Sequence, residues 1–299
     1  MEETNMNRIY QTFSLYLLAG GSLLLGSCTS EEPVDPAPTA GSPLEINASI
    51  SPLTRAGEKA NDYDKTKFVE GDVIAITPTS TSTSTSHSYT YQSDIWRPLK
   101  EKDSIKVQGN TVFTASYPTP FEGIQSDQSK SETVNDTKNK FASYQKSNQF
   151  TATATSTGNQ INFAFAPAAA KIRLVITYPT GETHTGGSVT ITGNKLLNDT
   201  DKEQTITLLP ITESGQTHVY VGIVYPGENK SYKITVKENR TETSGESSEI
   251  THTHNESSRT LVAGTEYTYN FSSNSNLILN SVTVNGFGNG GNHNLGDAT

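Results

Sequence analysis

In stretch after stretch of this chain, apolar and polar residues change places at every step. That period of two is the feature that most limits what the chain can fold into. Leu44, Ile46, Ala48 and Ile50 alternate with Glu45, Asn47, Ser49 and Ser51 until Pro52 ends the run. Successive side chains of a strand point to opposite faces, so this spacing lays one face on a core and leaves the other in water. Strands are expected at Val69–Thr77, Tyr89–Trp96, Ser104–Val107, Thr111–Tyr117 and Gln160–Phe165. Further ones follow at Lys171–Tyr178, Ser188–Thr192, Gln204–Leu209, His218–Tyr225, Ser231–Lys237, Glu266–Phe271 and Leu277–Val284. Thr79–Ser86 reads as a Thr/Ser loop, and the polar stretch Ser126–Lys140 as a loop or short helix. Gly, Pro and Asn punctuate the runs and no long segment carries a helical period, so the expected fold is all-β, built of antiparallel sandwiches.

Composition agrees. The chain holds 33 Ser and 42 Thr among 299 residues, with 32% hydrophobic and 18% charged residues. That excludes charge-rich disordered tails and coiled coils and suits half-buried pleated surfaces. A net charge of −9 leaves no electrostatic footprint for nucleic acid. About 250 structured residues overfill one small sandwich, so two domains are expected, 44–167 and 168–299. The single cysteine excludes an intramolecular disulfide and a Cys-based zinc site, and no cofactor is expected.

That cysteine, Cys28, closes an apolar run from Leu15 that is shorter than the roughly 20 residues of a membrane span but has the length of a signal-peptide core. Leu25-Gly26-Ser27-Cys28 resembles a bacterial lipobox, which implies cleavage between Ser27 and Cys28 and lipidation of Cys28. Residues 1–27 are then a signal peptide. Glu2 and Glu3 sit poorly in its start, and translation from Met6 would restore the expected positive charge. Residues 28–43 form a tether whose four prolines oppose helix and central strand alike. The acidic pair Glu31-Glu32 resembles a surface-export signal of lipoproteins in gut and mouth anaerobes.

Other candidate sites are weak. Gly286–Gly291 fits GxGxxG but has no helix to follow it. His252 and His254 would share a strand face as metal ligands do, but no third ligand is evident and a polar loop is the simpler reading. Asp199, Asp201 and Glu203 alternate like part of a calcium loop that lacks its glycine. Trp96 is either a sugar-stacking platform or core. Asp103-Ser104-Ile105 resembles an O-glycosylation sequon. No G-x-S-x-G elbow is present, and no enzymatic activity is expected.

The order of the landmarks resembles that of the fimbrillins (FimA/Mfa-like subunits of type V pili). Lipobox Cys28 and a tether come first, then a strand running to Thr54-Arg55-Ala56. Glu70-Gly71-Asp72-Val-Ile-Ala-Ile, Tyr91-x₄-Trp96 and Val112-Phe-Thr-Ala-Ser-Tyr117-Pro118 follow. Ile161-Asn-Phe-Ala-Phe165 with Ala170-Lys-Ile-Arg-Leu174, and Leu261-Val-Ala-Gly264-Thr-Glu-Tyr267-Thr-Tyr269, complete the series. The resemblance implies two tandem transthyretin-like sandwiches, export to the outer-membrane surface, and cutting between Arg55 and Ala56 by an Arg-specific protease. It further implies loss of the first strand (Leu44, Ile46, Ala48, Ile50) and polymerisation as a neighbouring subunit's strand fills the groove. Leu277, Leu279, Val282 and Val284 mark the candidate donor strand, or equally the last strand of the chain's own second sandwich. The implied partners are other fimbrial subunits, the membrane through Cys28, the protease, and a host glycan or protein. A retained anchor subunit and a non-polymerising glycan-binding lipoprotein are the alternatives.

Overall fold

The computed structural model describes residues 41–50, 62–79, 85–107, 109–134, 137–213, 215–274 and 276–286. All of them belong to one compact unit, Pro38–Thr299. Among the described residues, apart from one short α-helix, α1 (Ala142–Ser147), and one 3-10 turn, the regular structure is β. The first half contributes β1 (Ser42–Pro43), β2 (Glu45–Ile50), β3 (Val73–Pro78), β4 (His87–Gln92), β5 (Ile95–Pro98), β6 (Lys106–Val107) and β7 (Val112–Tyr117). It continues with β8 (Glu132–Val134), β9 (Thr137–Asn139), β10 (Phe150–Thr155) and β11 (Gln160–Pro167). The second half contributes β12 (Ala170–Thr177), β13 (Thr183–Asn194), β14 (Glu203–Thr207), β15 (Leu209–Thr212) and β16 (Thr217–Val224). It ends with β17 (Gly227–Thr241), β18 (Ser247–Leu261), β19 (Thr265–Asn274) and β20 (Asn276–Gly286).

A seven-stranded sheet in the order β2-β11-β10-β7-β3-β4-β5 carries the first half. It curls so that Ile46 and Phe163, at one end, share a cleft lining with Tyr91 and Trp96 at the other. In the second half, β15-β16-β12-β19-β20 packs face to face on β14-β13-β17-β18, with Ile172, Leu174, Val189, Ile191, Ile234 and Tyr269 between them. These two layers form a sandwich.

The wall between the two cores is β16. Tyr220 and Val224 enter the second core while Val221 and Ile223 enter the first. A strand covered on both faces needs apolar residues at consecutive positions, which accounts for the unbroken run Val219-Tyr-Val-Gly-Ile-Val224. Gly222 sits where a Cβ would collide with the Leu208 side chain.

Several expectations are corrected. Two strand pairs are parallel, β2 with β11 and β12 with β19, so the sheets are mixed. The run Tyr89–Trp96 is a hairpin: Ser93 and Asp94 take φ of 50° and 64°, and a two-residue turn with positive φ reverses the chain there. Lys106–Val107 is all that is strand in Ser104–Val107, and Gln204–Leu209 is divided between β14 and β15. The stretch Ser126–Lys140 contains the small hairpin β8–β9, and the helix comes only after it. β10 and β18 were not anticipated. Of the Thr/Ser tract, residues 80–84 lie outside the described residues.

Histidines in the second half make its stability depend on acid. His218 is fully buried, edge-on to Tyr178 at 4.8 Å, and neither ring nitrogen finds a hydrogen-bond partner among the described residues. Burial, and then the neighbouring His184, push its pKa below the ordinary 6.5. Burial also depresses His252, against a smaller opposing pull from Glu238. The unfolded chain takes up these protons first. The stabilisation is therefore complete above pH 6.5 and is lost as pH falls towards the folded values. Unfolding midpoints recorded between neutral and mildly acidic pH should decline on the acid side, and His218→Phe should flatten that slope.

Candidate functional site

The strand β2 is built by alternation. Leu44, Ile46 and Ile50 are buried and Ala48 is partly buried against the same core, while Glu45, Asn47 and Ser49 face outward or lie at the surface. It lies at the end of its sheet, paired in parallel with β11 from Glu45↔Gln160 to Ile50↔Phe165. Ile46, Ala48 and Ile50 thus stand beside Ile161, Phe163 and Phe165, all three of which are buried. Its entry is fixed by Leu44 N–H donating to Ile105 O at 2.9 Å and Glu45 N–H donating to Asn159 O at 2.7 Å. The Glu45 carboxylate accepts from Asn159 Nδ2 and Gln160 Nε2, each at 3.2 Å.

Across from β11, the facing wall is aromatic. Phe68 meets Trp96, Phe165 and Tyr117 edge-on at 5.0, 5.3 and 5.5 Å between ring centres. The segment that carries Phe68 is closed by Asp72, which accepts from Val69 N–H at 2.7 Å and Tyr117 OH at 2.9 Å and pairs with Lys65 at 2.8 Å. Clefts of about 280 and 550 Å³ remain between β2 and this wall. Trp96 is buried against Phe68, so it is a core residue.

The candidate donor residues all lie on β20, which pairs antiparallel with β19 at the edge of its sheet. Leu277 is buried, and Leu279, Val282 and Val284 pack on the second core. Their 2-3-2 spacing stays on one face because the register shifts between Asn270 and Phe271, which leaves Asn280 as the extra residue. Ser27, Cys28, Arg55 and Ala56 lie outside the described residues, as do most of the tether and Phe287–Thr299.

The remaining sequence candidates scatter. His252 and His254 belong to the strand β18, not to a loop: His252 Nε2 meets Ser273 Oγ at 3.3 Å and His254 stands edge-on to Phe271. Asp201 accepts from Asn194 Nδ2 and Asp199 pairs with Lys195. No group of three or more His, Cys, Asp or Glu among the described residues is arranged to hold a metal. Ser104 is half-buried between buried Asp103 and Ile105.

Sequence reading missed an ionic cluster where the two halves meet. Lys171 on β12 is 1% exposed, and its Nζ lies 2.6 Å from Asp64 Oδ2 and 3.0 Å from Glu266 Oε2. Glu266 is its register partner on β19. Tyr144 OH donates to Asp64 Oδ1 at 2.8 Å, and Arg173 Nη1 donates to Tyr63 OH at 3.0 Å. Burial works to strip the charge from Lys171, but Asp64 and Glu266 outweigh it and hold its pKa above the ordinary lysine value. Burial likewise pushes Glu266 up, and Lys171 more than reverses this. The one signal in the sequence is a pair of cations, Lys171 and Arg173, set inside a strand of otherwise apolar residues, Ala170-Lys-Ile-Arg-Leu-Val-Ile176.

No protein-family model and no curated sequence matches the chain. Among solved structures, the fold is shared with a putative cell adhesion protein from Bacteroides ovatus at a TM-score of 0.54 and 15% identity, over 83% of this chain and 99% of that one. A putative cell adhesion protein from Bacteroides uniformis matches at 0.49 and 15%, over 82% and 99%. A fimbrial protein from Bacteroides ovatus matches at 0.42 and 11%, over 79% of this chain and 49% of that one. At 15% identity the likeness to the first of these is one of fold.

The inward residues of β2 carry its attachment. Ile46→Ala should lower stability by about 2–3 kcal/mol, read as an earlier urea midpoint at unchanged slope, whereas Asn47→Ala on the outer face should stay within about 0.5 kcal/mol.

Proposed function

We propose that this chain is a subunit of a cell-surface adhesive fimbria, exported as a lipoprotein through Cys28, in which β2 is a replaceable strand. One observation carries the reading. β2 is an outermost strand of the first-half sheet, only the two-residue β1 precedes it in the described chain, and only the segment 51–61 joins it to the residues that follow. A single cut after Arg55, within that segment, turns β2 from a covalent part of the sheet into a non-covalent insert.

Its departure uncovers the β11 edge together with Ile161, Phe163 and Phe165. An open edge with an apolar groove beside it templates the addition of another strand. Three buried aliphatic side chains account for about 5–9 kcal/mol of gross burial, before the cost of ordering the newcomer. A strand from a second subunit that sets apolar residues at alternate positions restores both the ladder and the burial. Such a contact is head-to-tail and propagates. β20 is the candidate donor: it is an edge strand already, and it must lose its Asn280 bulge to match the even spacing of β2. The adhesive role is supported by the shared fold of the Bacteroides ovatus protein. The partners in this reading are sibling subunits, an Arg-specific protease, the outer membrane before the cut, and a host glycan or protein.

Digestion of the purified lipoprotein with an Arg-specific protease tests this. The expected products are a chain that begins at Ala56 and a ladder of oligomers resistant to mild detergent, and Arg55→Ala should abolish both. Filaments formed by the uncut Arg55→Ala protein would overturn strand replacement. A product cut at Arg55 that stays monomeric and keeps residues 44–50 bound would overturn it too. Protein recovered from cells that begins only at lipidated Cys28 would replace this reading with that of a retained anchor.

A further inference from the structure

The buried cluster at the junction has the parts of a condensation site. Lys171 Nζ becomes a nucleophile on losing a proton, and it touches the Asp64 carboxyl at 2.6 Å. Glu266 Oε2, 3.0 Å from the same nitrogen, is placed to accept its proton. Tyr144 OH is fully buried and donates at 2.8 Å to the other Asp64 oxygen, where negative charge would collect in a tetrahedral intermediate. The rings of Tyr63 and Tyr144 pack edge-on at 5.8 Å beside the site, and the Lys171 nitrogen lies 4.9 Å from the centre of the Tyr63 ring. Amine, base and oxyanion donor are held by β12, β19 and α1, the carboxyl by the segment that precedes β3, and the amine and carboxyl are closed off from bulk water.

We propose that Lys171 and Asp64 condense within the folded chain to an amide, an intramolecular cross-link between the first half of the protein and β12. The ammonium passes one proton to Glu266. The freed amine attacks Asp64 Cγ, and the C–N bond forms as the carbonyl π pair moves onto Oδ1 under the Tyr144 hydroxyl. Collapse of the intermediate breaks the Cγ–Oδ2 bond. That oxygen leaves as water, carrying the proton returned by Glu266 and the second proton of the amine nitrogen. Glu266 ends as it began, and no oxidant or co-reactant is used. The ion pair is the resting state, so the reaction is slow and follows folding. It is drawn forward because a neutral amide replaces two charges in a dry site, where unsolvated charge is costly. The bond joins residues 107 apart in sequence. Asp64 lies on the body side of Arg55, so the cross-link does not tie down β2, and the proposal stands whether or not the strand is exchanged.

Peptide mapping by mass spectrometry of the full-length protein, after prolonged incubation in the folded state, decides the matter. The expected result is a branched peptide containing both Asp64 and Lys171, lighter by one water than its two parts, with no cleavage by trypsin after Lys171. Glu266→Gln preserves the shape of the cluster and should leave most of the two peptides separate. Lys171→Met should leave them entirely separate. The wild-type map alone suffices should either variant fail to fold. Two unlinked wild-type peptides at full mass, with trypsin cleaving after Lys171, would overturn the proposal. So would a branched peptide as abundant in Glu266→Gln as in the wild type, which would remove Glu266 from its role.

Discussion

The parallel ladder between β2 and β11 is the constraint on which the rest depends. Without it the first-half sheet ends on a strand whose buried face, Ile161, Phe163 and Phe165, has no cover on that side. With it the core closes against Phe68 and Trp96. Yet β2 is bonded along one side only, and its outer face is polar. It is well packed but not interlocked, which is what the proposed strand replacement requires.

The second half is built differently. Its sandwich shares β16 with the first core, so neither half could be lifted away without exposing a strand meant to be covered on both faces. Charge reinforces the junction: Asp64 comes from the segment that follows the proposed cut, and Lys171 from the strand that opens the second half. Removing one partner of such a pair strands a buried charge, typically at a cost of about 3–5 kcal/mol. The body is thus held firmly just beyond the point where its leading strand is expected to come loose.

Much of this was legible in the sequence, and the failures have physical causes. The alternation in β2 marked its inward residues, and the apolar runs of β12, β16 and β19 marked the second core. β10 escaped because Phe150-Thr-Ala-Thr-Ala-Thr155 sets small residues on its inner face, and alanine gives a faint apolar signal. β18 escaped because it is an edge strand whose inner face includes His252 and His254; its pairing with β17, not its own hydrophobicity, makes it a strand. Strand direction escaped altogether, since a period of two reads the same in a parallel as in an antiparallel neighbour. The ionic cluster draws on residues 64, 144, 171 and 266, a proximity that only the folded chain creates.

Parallel pairing has one more consequence. A substitute that keeps the existing ladder has to enter with its amino end beside Gln160 and its carboxyl end beside Phe165. If the proposed strand replacement joins copies in that manner, all would face the same way and a row of them would have two unlike tips. One tip would bear an empty slot and the other a spare strand, so the row would lengthen by a different event at each end.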